Sequence, residues 1–252
     1  MKLSVVIITF NEERNIERCI LSVQQLADEI LVVDSFSKDR TLEICEKYQV
    51  KVIQNPFEGH IQQKNFAMQQ AQFDWILSLD ADEALSEELS KSIARIKSIS
   101  KQEINLFEMN RLTNYCGAWV KHCGWYPDTK VRLVNRQFAK WGGVNPHDKL
   151  EGSKQEKVAF LKGDILHYSY YTKEDHLKQI EYFSKIAAGE LVKQGKNVGQ
   201  LTVYLKMIAQ FFKSFVLKRG FLDGKTGWQI SKLSAFATYR KYSLLRTLNE
   251  TR

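Results

Sequence analysis

The sequence predicts an α/β protein with a mostly parallel central sheet and a helical extension at its C-terminal end. Three observations carry this. Apolar, β-branched runs alternate with segments of helical periodicity as far as residue 104, the pattern of a right-handed parallel sheet. Three of those runs stop abruptly at polar or acidic residues. From Thr172 onward the pattern is helical. A chain of 252 residues can bury a sizeable core, and an apolar fraction of 44% excludes wholesale disorder. The net charge of +8 suits an anionic partner, whether nucleotide, phospholipid or nucleic acid.

Leu3 to Phe10 is a near-continuous apolar run, as expected of a central strand covered on both faces. It is short for a secretory leader and leads into Asn11-Glu12-Glu13-Arg14, so it reads as a buried strand. Glu12 to Leu26 reads as a helix, with Ile16, Cys19, Ile20, Val23 and Leu26 at helical spacing and Asn11 as its cap. Glu29 to Val33 is a second strand ending at Asp34, Thr41 to Tyr48 a second helix, and Lys51 to Gln54 a third strand. Gln62 to Gln72 is helical, and the strand from Asp74 to Leu79 ends at Asp80. After residue 104 the pattern changes: Asn105 to Tyr115 and Lys130 to Arg136 read as strands around an aromatic, Gly-bearing loop. Trp141 to Asp148 is a second turn-rich aromatic stretch. Helices are expected over Lys173 to Lys193, Leu201 to Leu217 and Trp228 to Leu248. No segment has the roughly 18 consecutive apolar residues of a membrane-spanning helix. Cys19, Cys45, Cys116 and Cys123 lack CxxC spacing, as free thiols of a reducing cytoplasm would; Cys116, His122 and Cys123 leave a zinc site as the alternative.

The three polar strand ends are Thr9-Phe10-Asn11-Glu12, Asp34-Ser35-Phe36-Ser37 and Asp80-Ala81-Asp82. In a parallel sheet they project from one carboxyl edge, where open α/β sheets bind ligands. Hard carboxylate oxygens there suit Mg²⁺ or Mn²⁺ held together with substrate phosphates. Asp34 is suited to accept hydrogen bonds from a base or ribose, and Asp82 to hold a cation on a diphosphate. Each aspartate alone also reads as an ordinary turn or cap residue. Neither GxGxxG nor GxxxxGK[ST] occurs, which argues against dinucleotide and P-loop sites. A diphosphate would then be neutralised by metal and by side chains such as Lys64.

The segments Leu3–Glu13, Ile30–Thr41 and Leu79–Glu83 together resemble family 2 glycosyltransferases of the GT-A fold. Gln62–Ala67, Gly124–Asp128 with Arg132-Leu133, and Asn145-Pro146-His147-Asp148 resemble, more narrowly, the bacterial lipopolysaccharide-core β-glucosyltransferase subgroup. The resemblance implies inverting transfer of a hexose, with glucose from UDP-glucose the guess it suggests. It places Thr9, Asn11, Glu12, Asp34 and Ser35 at the nucleotide and Asp80 with Ala81 at ribose or sugar hydroxyls. Asp82 would meet the metal. Lys64 would stand near the donor, where many members have Arg. An inverting transfer needs a base within reach of the acceptor hydroxyl. Asp148 is the candidate, at a position where the subgroup usually carries Glu after His, and His147 is the alternative. His167 reads either as a further metal or phosphate ligand or as a core histidine. Trp119, Trp125, Tyr126 and Trp141 read as sugar-stacking or core residues, and Arg111 and Arg132 as acceptor-anion ligands or partners of nearby carboxylates.

The expected domains are 1–195, catalytic, with 1–104 for the nucleotide sugar and 105–195 for the acceptor, and a basic amphipathic extension over 196–252. Cations such as Lys206, Lys213, Lys218, Arg219 and Lys225 interleave there with Leu205, Ile208, Phe212, Phe215 and Leu217. That composition suits an interfacial helix on anionic lipid, and equally a helix packed on the catalytic domain with solvated cations. The expectation is an enzyme on the inner face of the bacterial inner membrane, with a glycolipid or oligosaccharide acceptor and no nucleic acid. Transfer to capsule, exopolysaccharide or protein, a nucleotidyltransferase, and a basic nucleic-acid-binding protein stand as alternatives.

Overall fold

A computed structural model describes residues 1–99, 103–144 and 147–250, with His147 described by its backbone alone. The chain divides into two compact units, 1–111 with 128–168 and 112–127 with 169–252. The first is built on strands β1 (Leu3–Thr9), β2 (Glu29–Asp34), β3 (Lys51–Gln54), β4 (Trp75–Asp80) and β5 (Glu83–Leu85), with helices α1 (Ile16–Val23), α2 (Thr41–Lys47), α3 (His60–Gln70) and α4 (Glu87–Ser98). It continues with β8 (Thr129–Asn135), β9 (Ala139–Val144), β10 (His147–Gly152) and the first parts of β6 (Leu106–Tyr115) and β11 (Val158–Tyr170), whose last residues fall with β7 (Ala118–Val120) in the second unit. The main sheet runs β3-β2-β1-β4-β8-β6-β11-β5. Its first four strands are parallel, as the alternating pattern predicts. The rest is antiparallel where β8 meets β4 and β6 and where β5 meets β11, which the change of pattern after residue 104 signals.

Strand alternation divides the core of this unit. Leu3, Val5 and Ile7 point to one face and pack with Ile16, Cys19, Ile20 and Val23 of α1. Val6 and Ile8 point to the other and pack with Ala67 and Met68 of α3. Asn11 does not cap α1. It sits in a left-handed conformation (φ 54°), and its side-chain oxygen accepts the Lys38 backbone N–H at 2.8 Å. The turn before α1 is closed instead by the Glu12 carbonyl, which accepts Asn15 and Ile16 N–H at 2.9 Å, so the helix starts at Ile16. Ser86 caps α4 by accepting Leu89 N–H at 3.2 Å. Gly163 of β11 passes so close to that helix start that a Cβ would lie 2.2 Å from the Leu89 nitrogen.

The second unit holds β7 and the helices α5 (Lys173–Lys193), α6 (Gln200–Phe212) and α7 (Gly224–Glu250). A Thr172/Asp175 capping box opens α5. Tyr115, Trp125, Tyr170 and His176 form one aromatic cluster, with Ile180, Ile230 and Leu233 beside it. A smaller cluster of Ala188, Val192 and Leu245 joins α5 to the far end of α7. Among the described residues, no helix is long and apolar enough to cross a membrane.

Candidate active site

Register brings the three polar strand ends together. Thr9 stands opposite Asp34 in the β1/β2 pairing, and Ile8 opposite Asp80 in the β1/β4 pairing, so all three strands finish at one edge. The sites of Thr9, Asn11, Glu12, Asp34, Ser35, Asp80, Ala81 and Asp82 therefore belong to neighbouring chain segments. Asp34 is fully buried and organises its own loop: its carboxylate accepts the Ser37 N–H at 2.9 Å, the Ser37 hydroxyl, and the Gln54 amide at 3.3 Å. Ser35 accepts from Gln63 at 3.0 Å. The Thr9 hydroxyl is buried and makes no hydrogen bond within the described structure. Glu12 has its carboxylate held by Asn15 at 2.7 Å. Burial, and then the nearby charges of Asp82, Asp39 and Asp80, push the Glu12 carboxyl up to about 7 despite that bond.

Asp80 lies at the centre of a buried charge network. Lys64, only 3% exposed, approaches Asp80 at 3.0 Å and donates to Asp148 of β10 at 2.8 Å. Arg132 of β8 reaches Asp80 at 3.2 Å and Glu83 at 2.9 Å. Glu83 also accepts the Asp80 backbone N–H at 3.0 Å and lies 3.5 Å from Arg111, which is paired with Asp128 at 2.9 Å. Trp141 lies beneath both central cations, 4.4 Å from the Lys64 ammonium and 5.3 Å from the Arg132 guanidinium, where the ring face favours positive charge. Burial works to raise the Asp80 carboxyl, but Lys64 and Arg132 outweigh it and hold the group well below the ordinary carboxylate range. Burial likewise opposes charge on Arg132, and Glu83 with Asp80 more than compensates. Lys64, Asp80, Arg111, Arg132, Trp141 and Asp148 line a polar cavity of 390 Å³.

His167 joins the edge through strand pairing. It stands opposite Glu83 in the β11/β5 register, and its Nε2 lies 3.2 Å from Asp82 Oδ2. Burial alone would lower its pKa, but the Asp82 charge raises it. The two groups offer a carboxylate and an imidazole nitrogen, a donor pair that fits Mn²⁺, with the carboxylate alone suited to Mg²⁺. Among the described residues no set of three or more His, Cys, Asp and Glu side chains forms a closed metal cage. The alternative zinc group does not assemble: Cys116 is exposed, His122 pairs with Asp223 at 2.7 Å, and the Cys123 sulfur faces the Gly227 carbonyl at 3.5 Å. The His147 side chain lies outside the described residues.

Arg132 takes the second of the two roles expected of it, pairing with the nearby carboxylates Asp80 and Glu83, while Glu83 is an organiser that the sequence did not single out. The signal for Glu83 lay in Arg132, a charged residue within the strand run Val131 to Val134, which needs a buried acid as partner.

The model of glycosyl transferase family 2 matches residues 4–102. An uncharacterized glycosyltransferase of Rickettsia typhi is 34% identical over 98% of this chain and 88% of its own length. The lipopolysaccharide core biosynthesis glycosyltransferase LpsC of Rhizobium meliloti is 24% identical over 97% of this chain and 94% of its own length. The chain is also similar to the crystal structure of S. aureus TarS in complex with UDP-GlcNAc, at 17% identity and a TM-score of 0.47, over 100% of this chain and 91% of that one. The chain belongs to glycosyl transferase family 2. It is a glycosyltransferase, as its strand-end motifs imply.

Proposed function

We propose that the protein is a metal-assisted, inverting hexosyltransferase that uses a UDP-sugar, with glucose the favoured sugar, and acts on a lipopolysaccharide-core or related glycolipid. The observation that carries this reading is the link Lys64 makes between Asp80 at the parallel edge and Asp148 across the cavity. Thr9, Asn11, Glu12, Asp34, Ser35 and Ala81 border the nucleotide, with the Thr9 hydroxyl buried there in want of a partner. Asp80 accepts hydrogen bonds from ribose or sugar hydroxyls. Asp82 and His167 hold Mg²⁺ or Mn²⁺, which when bound neutralises charge on the departing diphosphate.

In the reaction the acceptor oxygen attacks the anomeric carbon from the face opposite the diphosphate. The new glycosidic bond forms as the bond to the diphosphate breaks, and the acceptor proton passes to Asp148 or, in its place, His147. Lys64 fixes the orientation of the Asp148 carboxylate. The relation to LpsC supports a lipopolysaccharide-core acceptor. Such an acceptor places the enzyme peripherally at the inner face of the inner membrane. The test is product analysis with UDP-glucose, Mn²⁺ and a core-oligosaccharide acceptor. The reading requires release of UDP and an inverted anomeric centre. Release of pyrophosphate would assign a nucleotidyltransferase instead.

A further inference from the structure

The connection between α6 and α7 departs from the usual inside-out pattern of a soluble surface. After α6 the chain makes one π turn (Lys213–Leu217), passes through Arg219 in a left-handed conformation (φ 53°), and makes a 3-10 turn (Gly220–Asp223) before α7. This tip exposes Phe212 (56%), Val216 (47%), Leu217 (76%), Phe221 (51%), Leu222 (57%) and Trp228 (48%). A group of large apolar side chains gathered in 17 successive positions is unlike the scattered apolar residues of an ordinary surface. The tip is also firmly built. Phe211, Phe215 and Trp228 pack against one another with ring centroids 5.1–5.5 Å apart. Asp223 is fastened to His122 by both its oxygens, at 2.7 and 2.8 Å. Gly227 lies so close to Gly220 that a Cβ would come within 1.8 Å of the Gly220 carbonyl oxygen. The outward apolar face is therefore held in place by its own underside.

Charge identifies what covers it. Lys213, Lys218, Arg219 and Lys225 are exposed around the tip, while its one acid, Asp223, is taken up by His122. A second copy meeting this face about a two-fold axis would set these cations against their own equivalents. An anionic lipid surface receives both features at once, apolar side chains in the acyl boundary and cations at the headgroups.

We propose that the α6/α7 tip is a preformed wedge that docks on an anionic bilayer. The proposal rests on the membrane-side acceptor of the preceding reading and assigns the contact to one short segment of the basic extension. The test is flotation of the full-length chain with phosphatidylglycerol/phosphatidylcholine vesicles at low and high salt. Binding should weaken with salt and be weak on pure phosphatidylcholine. The triple variant L217S/F221S/L222S should bind at least tenfold more weakly with an unchanged melting temperature. Charge reversal in K218E/R219E should weaken binding by more than the about fivefold expected for each cation lost. Undiminished binding of the triple variant, equal binding to neutral vesicles, or no binding at low salt would overturn the proposal. So would sedimentation showing a dimer that the triple variant abolishes in place of vesicle binding. Metal-dependent UDP binding on the same samples keeps the two readings apart. UDP binding without vesicle binding sinks the wedge alone, and vesicle binding without UDP binding sinks the donor site alone.

Discussion

The sheet edge and the α6/α7 tip break the same rule in opposite directions. Around Asp80 the protein buries charge, with Lys64, Arg132 and Glu83 almost wholly withdrawn from solvent. At the tip it exposes apolar side chains and leaves cations around them. Either departure costs stability if nothing repays it. The buried charges are repaid within the fold by close opposite charges. The apolar groups of the tip touch one another in part, yet among the described residues of the second unit about half or more of their surface stays uncovered, which points to something outside the molecule. Burial of charge beside opposite charge marks a site prepared for polar chemistry, and exposure of apolar groups on a rigid support marks a surface prepared for a partner.

The largest effects should fall at the sheet edge. Asp82→Asn should abolish transfer, a loss on the order of 10⁴ in rate, since charge neutralisation at a departing diphosphate is worth several kcal/mol. Its melting temperature should stay near that of the parent, checked by circular dichroism. Asp148→Asn should lower kcat by about 10³ while the UDP dissociation constant changes little. Full turnover would remove Asp148 as the base. Lys64→Met should cost about 3 kcal/mol in urea unfolding, because it leaves the Asp148 carboxylate buried beside Asp80 without its cation. Lys64→Arg should lose much less.

The smallest effect concerns the second unit and pH. Burial lowers the pKa of His176 to about 4, from an ordinary value near 6.5. The unfolded chain takes up this proton before the folded one does. The His176 contribution to stability is therefore constant above pH 6.5 and falls as pH drops from 6.5 towards 4, by no more than about 2 kcal/mol at pH 5. His176→Gln should remove that component. Urea unfolding of both proteins at pH 7.5 and pH 5 measures it, and an equal pH dependence in the two would contradict the assignment.

The sequence exposes much of the sheet edge and little of what holds it. β1, β2 and β4 are legible because apolar runs end at acids, a local signal. Parallel pairing then forces Thr9, Asp34 and Asp80 to one edge. The charge network is not local: Lys64 meets Asp148 across 84 positions, and Arg132 meets Glu83 across 49. Nothing in the spacing of single residues announces such pairs. Asn11 shows the converse, since a residue type favoured at helix starts was drawn away by the Lys38 backbone in a loop 27 positions on. The helical nature of the C-terminal segment was plain from its periodicity. Whether its apolar residues faced inward was not, because a helix with cations all round presents the same pattern in either case.

The central claim is that Asp82, beside His167, holds a divalent ion on a nucleoside diphosphate. Titration calorimetry of UDP with and without Mn²⁺, on the parent chain and on Asp82→Asn, tests it most directly. The account predicts binding that depends on Mn²⁺ in the parent and is lost in the variant. Equal UDP affinity with and without the ion, unchanged by the substitution, would contradict it.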